Sequence, residues 1–296
     1  MLTDAAGNGQ YECRFHGRTR PGERCPVRRG YSGTLQKSLM LRAMSVPYDL
    51  DDPDSTYKLP ERYVEISGIW PLPGEDALVF VQDEALQVHH LDLSSGAVTE
   101  YNAHGFHDSE DIVVINDTAF ILTAGEKPML HEIIGYSGET PVNRDYDLRL
   151  DPLYDPEGLC LDVVQKRLLI ACKGSPLDSD RARKVFAFDL QSKQRSETPV
   201  LVIDSSDFLD GEGIFHPSGI AIHPLTGEVY AISTRSIKMV VRYSPEGCYL
   251  DKAKLRKKRF PQPEGITFAE SGDLFIASEG KKSKKARIYR FLYEGS

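Results

Sequence analysis

No stretch of this 296-residue chain is long and apolar enough to span a bilayer, and its first residues lack the apolar core of an export signal. The sequence alone therefore leads us to expect neither a membrane anchor nor an export signal. No Gly-x-Ser-x-Gly elbow occurs, because Gly135-Tyr136-Ser137-Gly138 misses the spacing. A glycine-rich phosphate loop and a His-Glu-x-x-His pair are also missing. The chain thus advertises no serine nucleophile, no nucleotide cradle and no zinc-peptidase centre. Its five cysteines (Cys13, Cys25, Cys160, Cys172 and Cys248) are odd in number and include no Cys-x-x-Cys pair, so we expect neither a zinc ribbon nor a secreted disulfide framework. Cys160 and Cys172 fall on adjacent strands of one expected hairpin and read as small apolar filler. A net charge of −8 argues against a general nucleic-acid binder.

That charge is uneven. Residues 1–48 hold eight Lys/Arg against three acids and show no hydrophobic period. We expect residues 1–46 to be a disordered or weakly structured basic segment and residues 47–296 to be one domain. Met40 and Met44 lie just before the patterned region and are alternative starts.

What the chain does have is a phrase that recurs five times: Ser67-Gly68-Ile69, Glu110-Asp111-Ile112, Glu157-Gly158-Leu159, Ser218-Gly219-Ile220 and Glu264-Gly265-Ile266. The intervals are 43, 47, 61 and 46 residues. A period in the forties with several short strands per period is the signature of a propeller. In the first unit the strands are expected at Gly68–Leu72, Ala77–Val81, Leu86–Leu93 and Ala97–Tyr101, separated by Gly, Pro, Asp and Ser turns. The last unit runs out of chain after its third strand, and residues 56–64 are the expected donor of the fourth. The fold expected is all-β: a five-bladed propeller of four-stranded antiparallel blades, closed by an N-terminal strand. A sixth blade hidden in the 61-residue interval is the alternative.

In a four-stranded meander the start of the first strand and the end of the second share one face, here called the top. That places Glu110, Glu157 and Glu264 around the axis. Asp83, Glu84, Gly125, Glu126, Lys173, Arg235 and Glu279 form a wider rim. A single glutamate at a strand start bonds to backbone amides or water, but three at matched repeat positions repel one another. They must hold protons or a cation. Oxygen-only donors suit calcium, which takes about six to eight oxygens in a forgiving geometry. Glu65, Ser67, Asp111 and Ser218 are the expected supplementary ligands. His107 and His216 precede two copies of the phrase at different offsets and read as surface or hydrogen-bonded residues. The basic runs Asp251–Arg259 and Lys281–Lys285 read as solvated loops, with an anionic partner or membrane surface as the lesser reading.

These residues resemble the SdiA-regulated family of bacterial propellers. The resemblance lies in Tyr48-Asp49-Leu50, Tyr57-Lys58-Leu59-Pro60, Glu65-Ile66-Ser67-Gly68-Ile69, Asp155-Pro156-Glu157-Gly158-Leu159 and His216-Pro217-Ser218-Gly219-Ile220-Ala221-Ile222-His223-Pro224. It continues through Gln262-Pro263-Glu264-Gly265-Ile266 and Ile276-Ala277-Ser278-Glu279-Gly280. It implies a five-bladed propeller with bound calcium, distantly akin to NHL-repeat proteins, in the cell envelope and often membrane-anchored. It supplies no substrate.

The function expected is a calcium-binding, non-catalytic envelope propeller that takes a ligand or protein partner on its top face. One alternative is a calcium-dependent lactonase- or phosphoesterase-like hydrolase, with Lys173 and Arg235 holding an anionic group and Glu279 or His107 as base. A scaffold with a purely structural metal is the other.

Overall fold

Each copy of the recurring phrase opens a separate sheet. The computed structural model describes residues 46–101, 108–177, 179–211, 213–280 and 285–294. The chain enters through β1 (Ser55–Lys58). Blade 1 follows as β2 (Ile66–Pro71), β3 (Ala77–Gln82), β4 (Ala85–Asp92) and β5 (Val98–Tyr101). Blade 2 comprises β6 (Ser109–Ile115), β7 (Thr118–Thr123), β8 (Met129–Ile134) and β9 (Val142–Asp147). Blade 3 has β10 (Pro156–Asp162), β11 (Arg167–Cys172), β12 (Ala182–Asp189), β13 (Gln194–Arg195) and β14 (Leu201–Asp204). Blade 4 is built from β15 (Pro217–Ile222), β16 (Val229–Ser233), β17 (Met239–Tyr243) and β18 (Tyr249–Lys254). Blade 5 ends the chain with β19 (Pro263–Phe268), β20 (Leu274–Ser278) and β21 (Arg287–Phe291).

β1 pairs antiparallel with β21, Ser55 opposite Arg290 and Lys58 opposite Arg287, so the first strand completes the last blade. This closure removes the edge that β21 would otherwise present. The closing strand is shorter than the sequence suggested. Pro60 has no N–H to continue a ladder, and Glu61–Tyr63 instead form a 3₁₀ turn. The sheets number five, so the six-bladed alternative fails. The long third interval is absorbed within blade 3, whose outer position is shared by β13 and β14, both paired to β12. The run at 251–259 also differs from expectation. Its first part belongs to the outer strand β18, and Arg256 beyond it forms an ion pair with Asp51 at 2.6 Å.

The innermost strands touch in sequence around the axis: β2 with β6, β6 with β10, β10 with β15, β15 with β19, and β19 with β2. Their glycines allow this approach. A Cβ on Gly219 would lie 2.6 Å from the Glu264 carbonyl, and one on Gly265 would lie 2.7 Å from the Ser67 carbonyl. Among the described residues five apolar clusters pack between the blades; one joins Val79 of blade 1 with Ile121 and Ile133 of blade 2. Cys160 and Cys172 are free thiols within this interior.

The residues before β1 are also anchored. The Tyr48 hydroxyl donates to the Gly272 carbonyl at 2.6 Å, and its ring packs among His223, Tyr230, Phe268 and Tyr293. Gly272 sits in the β19–β20 turn and His223 follows β15, so this contact clamps blades 4 and 5 at the face opposite the recurring phrase.

Candidate functional site: the acidic top mouth

All five innermost strands carry an irregularity at the same place. The pairing with the second strand slips at Ile66/Ile69, Ser109/Asp111, Pro156/Gly158, Pro217/Gly219 and Pro263/Ile266. Ser67, Glu110, Glu157, Ser218 and Glu264 each lie inside one of these bulges. A bulge re-aims the side chain it releases, so five matched side chains leave the ladder at the top mouth.

Two further sets surround them. Two positions before each bulged residue stand Glu65, Asp108, Asp155, His216 and Gln262. Directly after each second strand stand Asp83, Ala124, Lys173, Thr234 and Glu279. Backbone hydrogen bonds tie the two sets together blade by blade: Asp83 N–H to the Glu65 carbonyl at 3.4 Å, Ala124 N–H to Asp108 at 3.0 Å, Lys173 N–H to Asp155 at 2.8 Å and Glu279 N–H to Gln262 at 2.8 Å. Among these positions acids predominate, and Lys173 is the one lysine.

The Lys173 ammonium hydrogen-bonds the Glu157 carboxylate, and the two side chains are only 19% and 7% exposed. Glu157 is nevertheless pushed up to about 8, because burial outweighs the lysine and Glu264 adds its repulsion. Glu110 is driven to about 11, first by burial and then by Glu157 and Asp108. Glu264 is raised by burial, against the pull of Lys173 and of the Thr234, Ser218 and Lys238 side chains. Burial takes Glu279 to about 8, with Glu264, Asp83 and Glu65 contributing. Asp108 reaches about 6 through burial and its contact with Asp83. The Lys173 ammonium itself is held above its ordinary value: burial alone would lower it, but Glu157, Glu264 and Asp155 overcome that. One electrostatic neighbourhood therefore joins all five blades.

The other expected residues fall in different places. Ser67 and Ser218 are buried, and the Ser218 hydroxyl donates to the Pro263 carbonyl at 2.8 Å. Asp111 lies inside the channel below the mouth. It occupies the position filled by glycine in the other four blades, and its carboxylate accepts from Leu159 N–H at 2.6 Å and Ile112 N–H at 2.8 Å. Burial raises its pKa well above the ordinary range. Glu65, Asp83 and Glu84 are exposed. Glu65 and Glu84 line an open cavity of about 340 Å³ with Glu61, Arg62, Val64 and Gln82. Glu126 and Arg235 are exposed on the outer rim. His216 turns its ring toward blade 3, where Nδ1 donates to the Lys173 carbonyl at 3.1 Å. His107 and residues 281–284 lie outside the described residues.

Sequence reading missed Asp108 and Asp155, although both stand at the same offset before a bulged glutamate as Glu65 does before the bulged Ser67. It also missed a buried row across blade 2. Thr123 Oγ1 lies 3.1 Å from His131 Nε2, and His131 Nδ1 lies 2.8 Å from Asp145 Oδ1. No local pattern announces this row, because only strand register brings His131 opposite Asp145.

The donor set at the mouth is carboxylate and hydroxyl oxygen, the chemistry of a hard cation. Among the described residues, no three His, Cys, Asp or Glu side chains are grouped closely enough to hold an ion between them. Glu157 is instead paired with the Lys173 ammonium.

A family model described as SdiA-regulated matches residues 56–282. No curated protein sequence matches the chain. Among solved structures, glutaminyl cyclase from Myxococcus xanthus superposes with a TM-score of 0.55 at 13% identity, over 81% of this chain and 94% of that one. The PQQ-bound aldose sugar dehydrogenase from Streptomyces coelicolor gives 0.53 at 12% identity, covering 81% and 97%. A luciferin-regenerating enzyme gives 0.51 at 14%, covering 82% and 96%. At such identities the likeness is one of fold, and these three different activities show how little the fold says about chemistry.

Proposed function

The chain belongs to the SdiA-regulated family, and from that premise we propose that it is a non-catalytic binding propeller whose top mouth takes calcium and, over it, a ligand or protein partner. The observation that carries this reading is the convergence of Glu110, Glu157, Glu264, Glu279 and Asp108 on one mouth, with raised pKa values and Lys173 as the only lysine in the matched rings. Buried carboxylates that repel one another bind a proton or a cation. In this reading the neutraliser is a divalent ion, which millimolar calcium outside cells would supply.

Glu110 and Asp108 are the first ligands in this reading, since neither is paired with Lys173. Glu264 and Glu279 would complete the site with backbone oxygens and water. A binding role is favoured over hydrolysis because Lys173, one of the two residues expected to hold a substrate anion, is already engaged with Glu157, and the other, Arg235, is exposed on the outer rim. The envelope location implied by the family belongs to the same proposal, and extracellular calcium levels suit it.

Metal analysis of the purified protein, with melting in calcium and in chelator, tests the reading. Bound calcium and a chelator-sensitive melting temperature support it. A metal-free protein that melts identically in both would refute it.

A further inference from the structure

Lys173 is built into the mouth rather than draped over it. Its N–H is tied to the Asp155 carbonyl at 2.8 Å. Its own carbonyl accepts from Arg183 Nε at 2.7 Å and from His216 Nδ1 at 3.1 Å, so blades 3 and 4 both hold it. The next residue, Gly174, donates to the Tyr154 carbonyl at 2.8 Å, and a Cβ there would collide with the Leu153 carbonyl. Four backbone contacts therefore fix where the lysine stem begins, and the stem delivers its ammonium to Glu157. Solvent-exposed lysines are not seated this way, because their four-carbon stems are mobile and strongly hydrated at the tip.

We propose that Lys173 is a resident counter-ion which occupies the Glu157 side of the mouth and competes with a divalent cation for it. This rests on the calcium reading of the same mouth. An ammonium within hydrogen-bonding distance of one carboxylate supplies a positive charge that a second cation must displace or avoid. It also fits the spacing of the acids, no three of which among the described residues are grouped closely enough to hold an ion between them. Lys173 thereby withholds the Glu157 carboxylate from any divalent ion and keeps calcium affinity low enough to be reversible. Arg183 and His216 act as positioning residues for the lysine and do not themselves meet the ion.

The test is calorimetric titration of calcium chloride into chelator-stripped protein at pH 7, comparing wild type with Lys173→Met and Lys173→Arg. Removing the ammonium should tighten calcium binding by about tenfold or more, because a unit charge within a few ångströms at a half-buried site is worth at least that much. The Lys173→Met protein should also melt lower in chelator and recover in calcium, a dependence stronger than in wild type. Lys173→Arg keeps the charge and should gain nothing. If Lys173→Met does not fold, Lys173→Gln, which keeps a donor toward Glu157, is titrated instead, with the same gain expected. No gain in either neutral variant overturns the proposal, as does an equal gain in Lys173→Arg. A wild type that ignores calcium beside a neutral variant that binds it would refute the calcium reading and leave this one standing. A wild type that binds calcium beside neutral variants that bind no tighter would do the reverse.

Discussion

Gly68 and Asp111 share one small volume in the wall of the central channel: a Cβ on Gly68 would fall on the Asp111 carboxylate and on its Cα. Asp111 stands where the other blades have glycine, so its side chain fills space left by Gly68 and reaches across to the Leu159 amide of blade 3. The Gly68→Ala variant should lose roughly 3 kcal/mol, the upper range for overpacking a rigid interior. Pairing it with Asp111→Gly should recover part of that loss. The recovery stops short because the Cα at position 111 still lies 2.4 Å from the new Cβ, and because the Leu159 N–H is left without its acceptor, at a cost of about 1–3 kcal/mol. Denaturant titration of the two single variants and the double variant measures the coupling. Additive losses would show that the two residues do not share the space.

The entering chain is predicted to matter to stability out of proportion to its length. Tyr48→Phe removes the hydroxyl from the buried Gly272 carbonyl and should cost about 1–2 kcal/mol. Tyr48→Ala also empties the aromatic pocket formed by His223, Tyr230, Phe268 and Tyr293, and should cost about 3–5 kcal/mol. Both losses are read from urea midpoints. Equal losses in the two variants would place the whole effect in the hydrogen bond.

The mouth also fixes a pH dependence for the ion-free protein. A carboxyl whose pKa is raised on folding keeps its proton better in the folded state. Its contribution is full below the unfolded value and disappears as pH rises through the folded one. Glu157 and Glu279, both near 8, and Glu110, near 11, therefore make ion-free stability fall between pH 7 and 8.5. Buried His89 and His223 and half-buried His216 have pKa values lowered by burial and act in the opposite direction, but only below their unfolded range near 6.5. The window above pH 7 therefore belongs chiefly to the carboxyls. Melting in chelator across it should show the decline, and Glu279→Gln should flatten it. A rising profile would contradict the assignment.

The extent to which the sequence announced this molecule follows from how each feature is encoded. The blades were legible because the bulged phrase Ser67-Gly68-Ile69 and its four copies repeat a backbone requirement, and glycine marks the close approach in four of the five. Closure was legible because blade 5 lacked a strand and residues 56–64, just before the first blade, stood ready to supply it. The length of that strand was not, since the 3₁₀ turn after Pro60 competes with extension. Asp111 was read as a top-mouth donor because its neighbour Glu110 is one, yet adjacent residues on a strand point opposite ways. Lys173 was assigned to the rim by counting. Its inward reach depends on Arg183 and His216, which lie 10 and 43 residues away and meet it only in the folded ring.

The most direct test of the cation-binding mouth is a calcium titration of chelator-stripped wild type and Glu110→Gln, followed by thermal melting at pH 7.5. The account predicts saturable binding by wild type. At calcium about 100-fold above Kd it predicts a gain of about 2.7 kcal/mol, or about 5–10 °C, with most of that gain lost in Glu110→Gln. Equal shifts in both proteins, or none in either, would contradict it.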